Sequence, residues 1–124
     1  MNEDTALSDA VVGIDVAKQK VDLFAVIQGK GKSKVFENTQ AGYRELQAWL
    51  GERGFAPANT HVCMEATGPY SESLAMALVS GGWKVSVVNP ARVKGFAQGE
   101  LARNKTDRAD AALLARFCAA MKPS

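Results

Sequence analysis

Apolar and polar positions along this chain follow two periods, and the switches between them mark its elements. Residues 10–17 contain Val11-Val12-Gly13-Ile14-Asp15-Val16-Ala17, apolar at both parities, which predicts a strand buried on both faces. Val21 to Ile27 predicts a second strand, reached through the short turn Lys18-Gln19-Lys20. Gly29-Lys30-Gly31 is a turn signal, and Ser33 to Glu37 predicts a third strand. Links this short favour antiparallel hairpins. Asn38-Thr39 then offers an N-cap, and Tyr43, Leu46, Trp49 and Leu50 recur at helical spacing. Pro57 and Asn59 break the chain before a strand at His61–Glu65. Pro69 suits the first turn of a helix that carries Leu74, Met76, Ala77 and Leu78 and stops at Gly81-Gly82. Trp83 to Val88 predicts a fifth strand, closed by Asn89-Pro90. A short helix around Arg92–Phe96 and a longer one from Thr106 to about Ala120 complete the pattern.

The order is βββαβαβ followed by helices, an α/β arrangement. The first three strands form antiparallel hairpins. The last two join through crossover helices, which makes them parallel neighbours and the crossovers right-handed. The expected product is a five-stranded mixed sheet of order 3-2-1-4-5 with helices on both faces. A chain of 124 residues fits a single domain with a real core.

Composition narrows the class. Hydrophobic content of 47% and charged content of 23% describe an ordinary globular protein. A net charge of +2 does not by itself imply a polyanionic partner. The distribution is more telling: Lys84, Arg92, Lys94, Arg103, Lys105 and Arg108 face only Glu100 and Asp107 in the same stretch. That local excess suits phosphate, although from charge alone a solvated surface explains it more simply. Cys63 and Cys118 are distant in sequence, belong to no CxxC pair and lie in apolar surroundings, so they read as reduced core residues of a cytosolic protein. One histidine, His61, is too few for a zinc site on sequence grounds and reads as a surface or satisfied side chain. No apolar run reaches membrane-spanning length, and Met1-Asn2-Glu3-Asp4 does not open a signal peptide. Residues 1–9 are expected to form a disordered tail, and the expected location is the cytoplasm.

The chemistry lies in four carboxylates. Asp15 interrupts the first apolar run, and Glu65 ends Val62-Cys63-Met64-Glu65. Asp107 and Asp110 sit in Lys105-Thr106-Asp107-Arg108-Ala109-Asp110-Ala111. Acids are depleted in strands and expensive to bury unpaired. Three of them have an ordinary alternative: Asp15 can bond the following turn, Glu65 can favour the dipole of the Pro69 helix, and Asp107 can do so in a first helical turn. Asp110 shares a predicted helical stripe with Asp107, Leu114 and Phe117 or Cys118, which directs both aspartates towards the sheet. Acids gathered where strands end suit hard divalent cations, which take oxygen ligands. Asp22, in Val21-Asp22-Leu23, is a rival that is expected to face solvent on an outer strand. The serines are scattered with no base beside them, and Gly29-Lys30-Gly31-Lys32 precedes no helix, so it is not a phosphate loop. Tyr70, Trp83 and Phe96 are expected in core or rim packing.

Strand-Asp, strand-Glu and helix-AspxxAsp on this order of elements resembles the RNase H-like nucleases, and within them the RuvC-type domain. The strings Val12-Gly13-Ile14-Asp15-Val16-Ala17-Lys18, Asn38-Thr39-Gln40-Ala41-Gly42, Met64-Glu65-Ala66-Thr67-Gly68, Val88-Asn89-Pro90-Ala91-Arg92-Val93-Lys94 and Lys105-Thr106-Asp107-Arg108-Ala109-Asp110-Ala111 resemble the N-terminal domain of the DEDD transposases of bacterial insertion sequences. That family includes Piv-like invertases and bridge-RNA-guided recombinases. The resemblance implies that Asp15, Glu65, Asp107 and Asp110 are catalytic and bind two Mg²⁺ ions, with Mn²⁺ as a substitute. It implies DNA as substrate, a guide RNA, a homo-oligomer in the full-length protein and no membrane partner. It implies nucleic-acid contacts from Arg92, Lys94, Arg103, Lys105 and Arg108. The nucleophile of the family is a serine in a C-terminal domain, so residues 1–124 are expected to be one RuvC-like domain that stops short of it. A non-catalytic nucleic-acid-binding module of the same fold is the main rival. The actin-like ATPases fit less well, since Val16-Ala17-Lys18 replaces the glycine- and threonine-rich phosphate turn they need.

Overall fold

Each predicted strand forms, and the connection lengths set the topology. The computed structural model describes residues 10–100 and 110–124. The chain runs β1 (Ala10–Val16), β2 (Lys20–Ile27), β3 (Lys30–Glu37), α1 (Gln40–Glu52), β4 (Thr60–Glu65), α2 (Glu72–Ser80), β5 (Lys84–Val88), α3 (Pro90–Glu100) and α4 (Ala111–Met121). The five strands lie in the order β3-β2-β1-β4-β5, with β1–β2 and β2–β3 antiparallel and β1–β4 and β4–β5 parallel.

Local chemistry explains the boundaries, including those that differ from expectation. Gln28 and Gly29 both have positive φ, 53° and 79°, the two-residue turn whose twist matches a hairpin. The turn therefore falls one residue earlier than Gly29-Lys30-Gly31, and β3 starts at Lys30, paired with Ile27. Thr39 caps α1 by accepting from the Gly42 amide at 3.0 Å. Pro69 lies in a 3₁₀ turn, Gly68–Ser71, before α2 begins. Asn89 accepts from the Ala91 amide at 2.7 Å, and α3 extends well beyond the expected Arg92–Phe96. The last helix departs most. Asp110 is extended, at φ −106° and ψ 177°, so it precedes α4 rather than lying within it. The expected start at Thr106, and the expected tail at residues 1–9, lie outside the described residues.

The parity of β1 divides the core. Val12, Ile14 and Val16 pack with Tyr43, Leu46 and Leu50 of α1 and Leu74 and Leu78 of α2. Val11 faces the other way, with Cys63 of β4 and Ala115 and Cys118 of α4. Val93 of α3 packs with Leu113, Leu114 and Phe117 of α4 on that second side. The two cysteines, distant in sequence, are thus neighbours across α4 and β4. Trp83 is buried with its indole N–H donating to Gln47 at 3.1 Å, and Phe96 meets Phe117 edge-on, so both aromatics pack internally as expected. Tyr70 is 43% exposed, where rim or core packing was expected.

Candidate active site

The parallel register of β1 and β4 sets the first two acids side by side. Gly13 aligns with Cys63 and Ile14 with Met64, so Asp15 and Glu65 follow as the next step along the two strands. Both are half-buried at the carboxyl ends, where ligands of open α/β sheets bind. Burial first, and the negative charge of Asp15 second, raise the Glu65 carboxyl above its ordinary value. On the other side of β1, the antiparallel register places Asp22 opposite Asp15. Asp22 is exposed, as expected, but β2 is an interior strand, and Asp22 opens on the same cleft as Asp15. The β1–β2 link is short enough to count this register from the sequence; its alternating context hid it.

Helix α4 brings the third acid. Gly13 has no side chain, and a Cβ there would lie 2.2 Å from the Ala111 carbonyl oxygen and 2.4 Å from the Ala115 amide nitrogen. The backbone of α4 therefore rests directly on β1, two residues from Asp15. Asp110 lies at its head and accepts from the Leu113 amide at 2.8 Å as the N-cap. A cap, rather than a shared helical stripe, holds Asp110 in place. A carboxylate has about four lone-pair sites, so capping leaves capacity for a ligand. Asp15, Asp22, Asp110, Phe24, Ser33 and Lys34 line a cleft of about 460 Å³.

The structure brings Asp15 together with Glu65 on one flank and with Asp22 and Asp110 on the other. Among the described residues, no three carboxylates draw their ligand oxygens within 4.8 Å of one another. Asp107, the fourth expected acid, lies outside the described residues. So do Arg103, Lys105 and Arg108. Arg92 and Lys94 are exposed on α3, with the Arg92 guanidinium 5.5 Å from the Phe117 ring centroid, within cation–π range.

Asn38, whose sequence context indicates only a helix cap, is a positioning residue. Its side-chain amide donates to the Ala17 carbonyl at 2.9 Å and to the Tyr70 carbonyl at 3.1 Å. Its carbonyl oxygen accepts from the Tyr43 hydroxyl. Ala17 follows Asp15, and Tyr70 lies in the turn after Glu65. One side chain thus ties together the two segments that leave the acidic strands.

Known proteins resemble this chain in both sequence and fold. The "Pilin gene-inverting protein" of Moraxella bovis is 37% identical over 117 residues, which is 94% of this chain and 36% of that protein. The protein of the same name from Moraxella lacunata matches with the same identity and coverage. The chain therefore spans about a third of the length of these curated relatives. A solved structure of T. thermophilus RuvC in complex with a Holliday junction substrate superposes with a TM-score of 0.58 at 18% identity, over 90% of this chain and 95% of RuvC. A second Thermus thermophilus RuvC structure gives 0.55 at 19% identity, over 91% and 96%. These likenesses establish a RuvC-type, RNase H-like fold. Residues 12–123 match the transposase family of the IS110 DEDD type, and the chain belongs to that family.

Proposed function

We propose that this chain is the metal-binding catalytic part of a DNA transposase or site-specific recombinase. The observation that carries the reading is the placement of Asp15 and Glu65 at the ends of adjacent parallel strands, with Asp110 opening on the Asp15 cleft. Family membership supports it, as does the gene-inverting designation of the Moraxella relatives.

The donor set fits hard divalent cations. All candidate ligands are carboxylate oxygens, and the Glu65 carboxyl is raised first by burial and second by the like charge of Asp15, the part that a cation would relieve. The absence of a three-carboxylate knot among the described residues is compatible with Mg²⁺, which is commonly held by one or two carboxylates, waters and substrate phosphates. Asp15, Glu65, Asp107 and Asp110 would hold two Mg²⁺ ions, with Mn²⁺ as a substitute and Asp15 as the central ligand. Bound there, the ions would supply Lewis-acid chemistry, polarising a phosphodiester and stabilising its attacking and leaving oxygens. Asp22 adds negative charge to the cleft on the β2 side. Asn38 keeps the segments after Asp15 and Glu65 in fixed relation. Arg92 and Lys94, with Arg103, Lys105 and Arg108, neutralise DNA phosphates. The nucleophile is a serine from a further C-terminal domain, and a guide RNA and a homo-oligomeric assembly complete the recombinase. The chain by itself binds DNA weakly and does not exchange strands.

The test is strand exchange by the full-length protein with Mg²⁺. Asp15→Ala, Glu65→Ala and Asp110→Ala should each lower it by at least about 10²–10³-fold, the scale of losing one preorganised electrostatic group, while DNA binding persists. Full activity in Asp15→Ala would refute the reading. Removing Arg92 or Lys94 should instead weaken DNA binding and reduce its log–log salt slope by about 0.9 for each phosphate no longer neutralised.

A further inference from the structure

At the opposite end of the same sheet face lies a second group of ligand-forming side chains. Strand alternation puts His61 and Cys63 on the α4 face of β4, and α4 returns antiparallel to bring Cys118 across from them. One ligand atom from each lies within 4.8 Å of those of the other two. Both thiols are fully buried, and Cys118 donates to the His61 carbonyl at 3.5 Å. We propose that His61, Cys63 and Cys118 form a site for a single Zn²⁺ ion that fastens the end of α4 to the start of β4.

The geometry suits that ion. Zn–S bonds of about 2.3 Å and Zn–N bonds of about 2.0–2.1 Å in a tetrahedron put ligand atoms roughly 3.5–3.8 Å apart. That separation fits inside the observed cluster. Thiolate and imidazole select zinc over the hard cations suited to the acidic end. Two thiolates also neutralise the ion, which a buried site requires.

The surroundings prepare the ligands. The His61 Nε2 lies 2.8 Å from the Ser86 hydroxyl oxygen. Ser86 lies within hydrogen-bonding distance of the Pro123 and Ser124 carbonyls, at 3.1 and 3.0 Å, and donates its own proton there. Ser86 then accepts from Nε2–H, which leaves Nδ1 with the lone pair. An imidazole that donates through one nitrogen and ligates through the other is the usual outer-shell arrangement of a zinc site. Burial first and the charge of Lys84 second lower the His61 pKa below its ordinary value. A hydrogen bond with Cys63 and burial raise the Cys118 thiol far above the ordinary thiol range, so ligation must displace a firmly held proton. Binding forms two Zn–S bonds and one Zn–N bond and releases two thiol protons to solvent. A cavity of about 300 Å³, lined by His61, Cys118, Asn59, Thr60, Lys84 and Lys122, admits a water as fourth ligand.

The reduced, metal-stripped chain titrated with Co²⁺ tests this, because thiolate ligation produces a charge-transfer absorption that carboxylates do not. Wild type should develop that band and lose it when Zn²⁺ is added. Asp15→Asn should keep the band, which separates this site from the acidic one. Cys118→Ser should lose it, and Ser86→Ala should weaken binding by about 10–100-fold, the usual cost of an outer-shell partner. The wild-type signal needs no variant to fold. A featureless titration of folded wild type, or an unchanged band in Cys118→Ser, overturns the proposal.

Discussion

The two faces of the sheet are built on different principles. The face under α1 and α2 is a continuous apolar core of large side chains, including Ile14, Leu23, Leu46, Leu50, Met64, Leu74 and Leu78, each fully buried. The face under α4 is thin. Gly13 lets the helix backbone touch β1, and the strand residues beside it include Asp15, Glu65, His61, Cys63 and Ser86. One face supplies most of the burial that drives folding, and the other holds the groups with chemistry. A polar group is tolerated on the second face because a strand buried on both sides has already secured its place through the first.

That contrast can be broken most forcefully from the apolar side. Leu46→Ala removes a fully buried side chain and should cost about 2–5 kcal/mol, within the usual range for buried leucine truncation. Denaturant unfolding should show it, with metal binding by the surviving folded fraction unchanged. On the α4 face, Gly13→Ala is the sharper probe. The added methyl meets backbone atoms that cannot rotate away, so α4 must shift, at about 1–3 kcal/mol as for overpacking. Unlike Leu46→Ala, it should impair metal binding even in folded protein, because Asp110 moves with the helix. Asn38→Ala should cost about 0.5–1.5 kcal/mol for each hydrogen bond removed from the linked turns, measurable by thermal unfolding.

The smallest effect is a pH dependence. The Glu65 carboxyl is raised in the folded state, so there is a window in which the folded chain holds a proton that the unfolded chain has released. Stability therefore falls as pH rises from the unfolded carboxylate pKa through the folded one. Glu65→Gln removes that slope. Its stability relative to wild type should be greater at neutral pH than in acid, and parallel curves across that range would remove burial and Asp15 as the cause.

How far the sequence could be read follows the same division. Apolar runs in β1 and β4 and the lengths of their connections were enough for the strand order, because each element's pattern speaks for itself. Asp15 and Glu65 stood out because an acid at the end of such a run has no packing reason to be there. Asp110 was a harder case. Asp110-Ala111-Ala112-Leu113 is an N-cap pattern, but Thr106 offers a competing start. Asn38 was hidden because its acceptors, Ala17 and Tyr70, are backbone carbonyls that any residue could supply. Cys63 and Cys118 meet only through the packing of α4 on the sheet, a meeting with no local signal in either sequence neighbourhood.

The proposed function requires the acidic end of the α4 face to bind hard divalent metal through Asp15. Its most direct measurement is the melting temperature of wild type and Asp15→Asn across a millimolar Mn²⁺ titration, with reduced chain and zinc absent. An ion that binds only the folded state stabilises it by about 2.7 kcal/mol at a hundredfold excess over Kd. Tm should rise in wild type and stay flat in Asp15→Asn, with both chains folded at the start. Equal shifts in the two proteins, or no shift in either, would contradict that requirement.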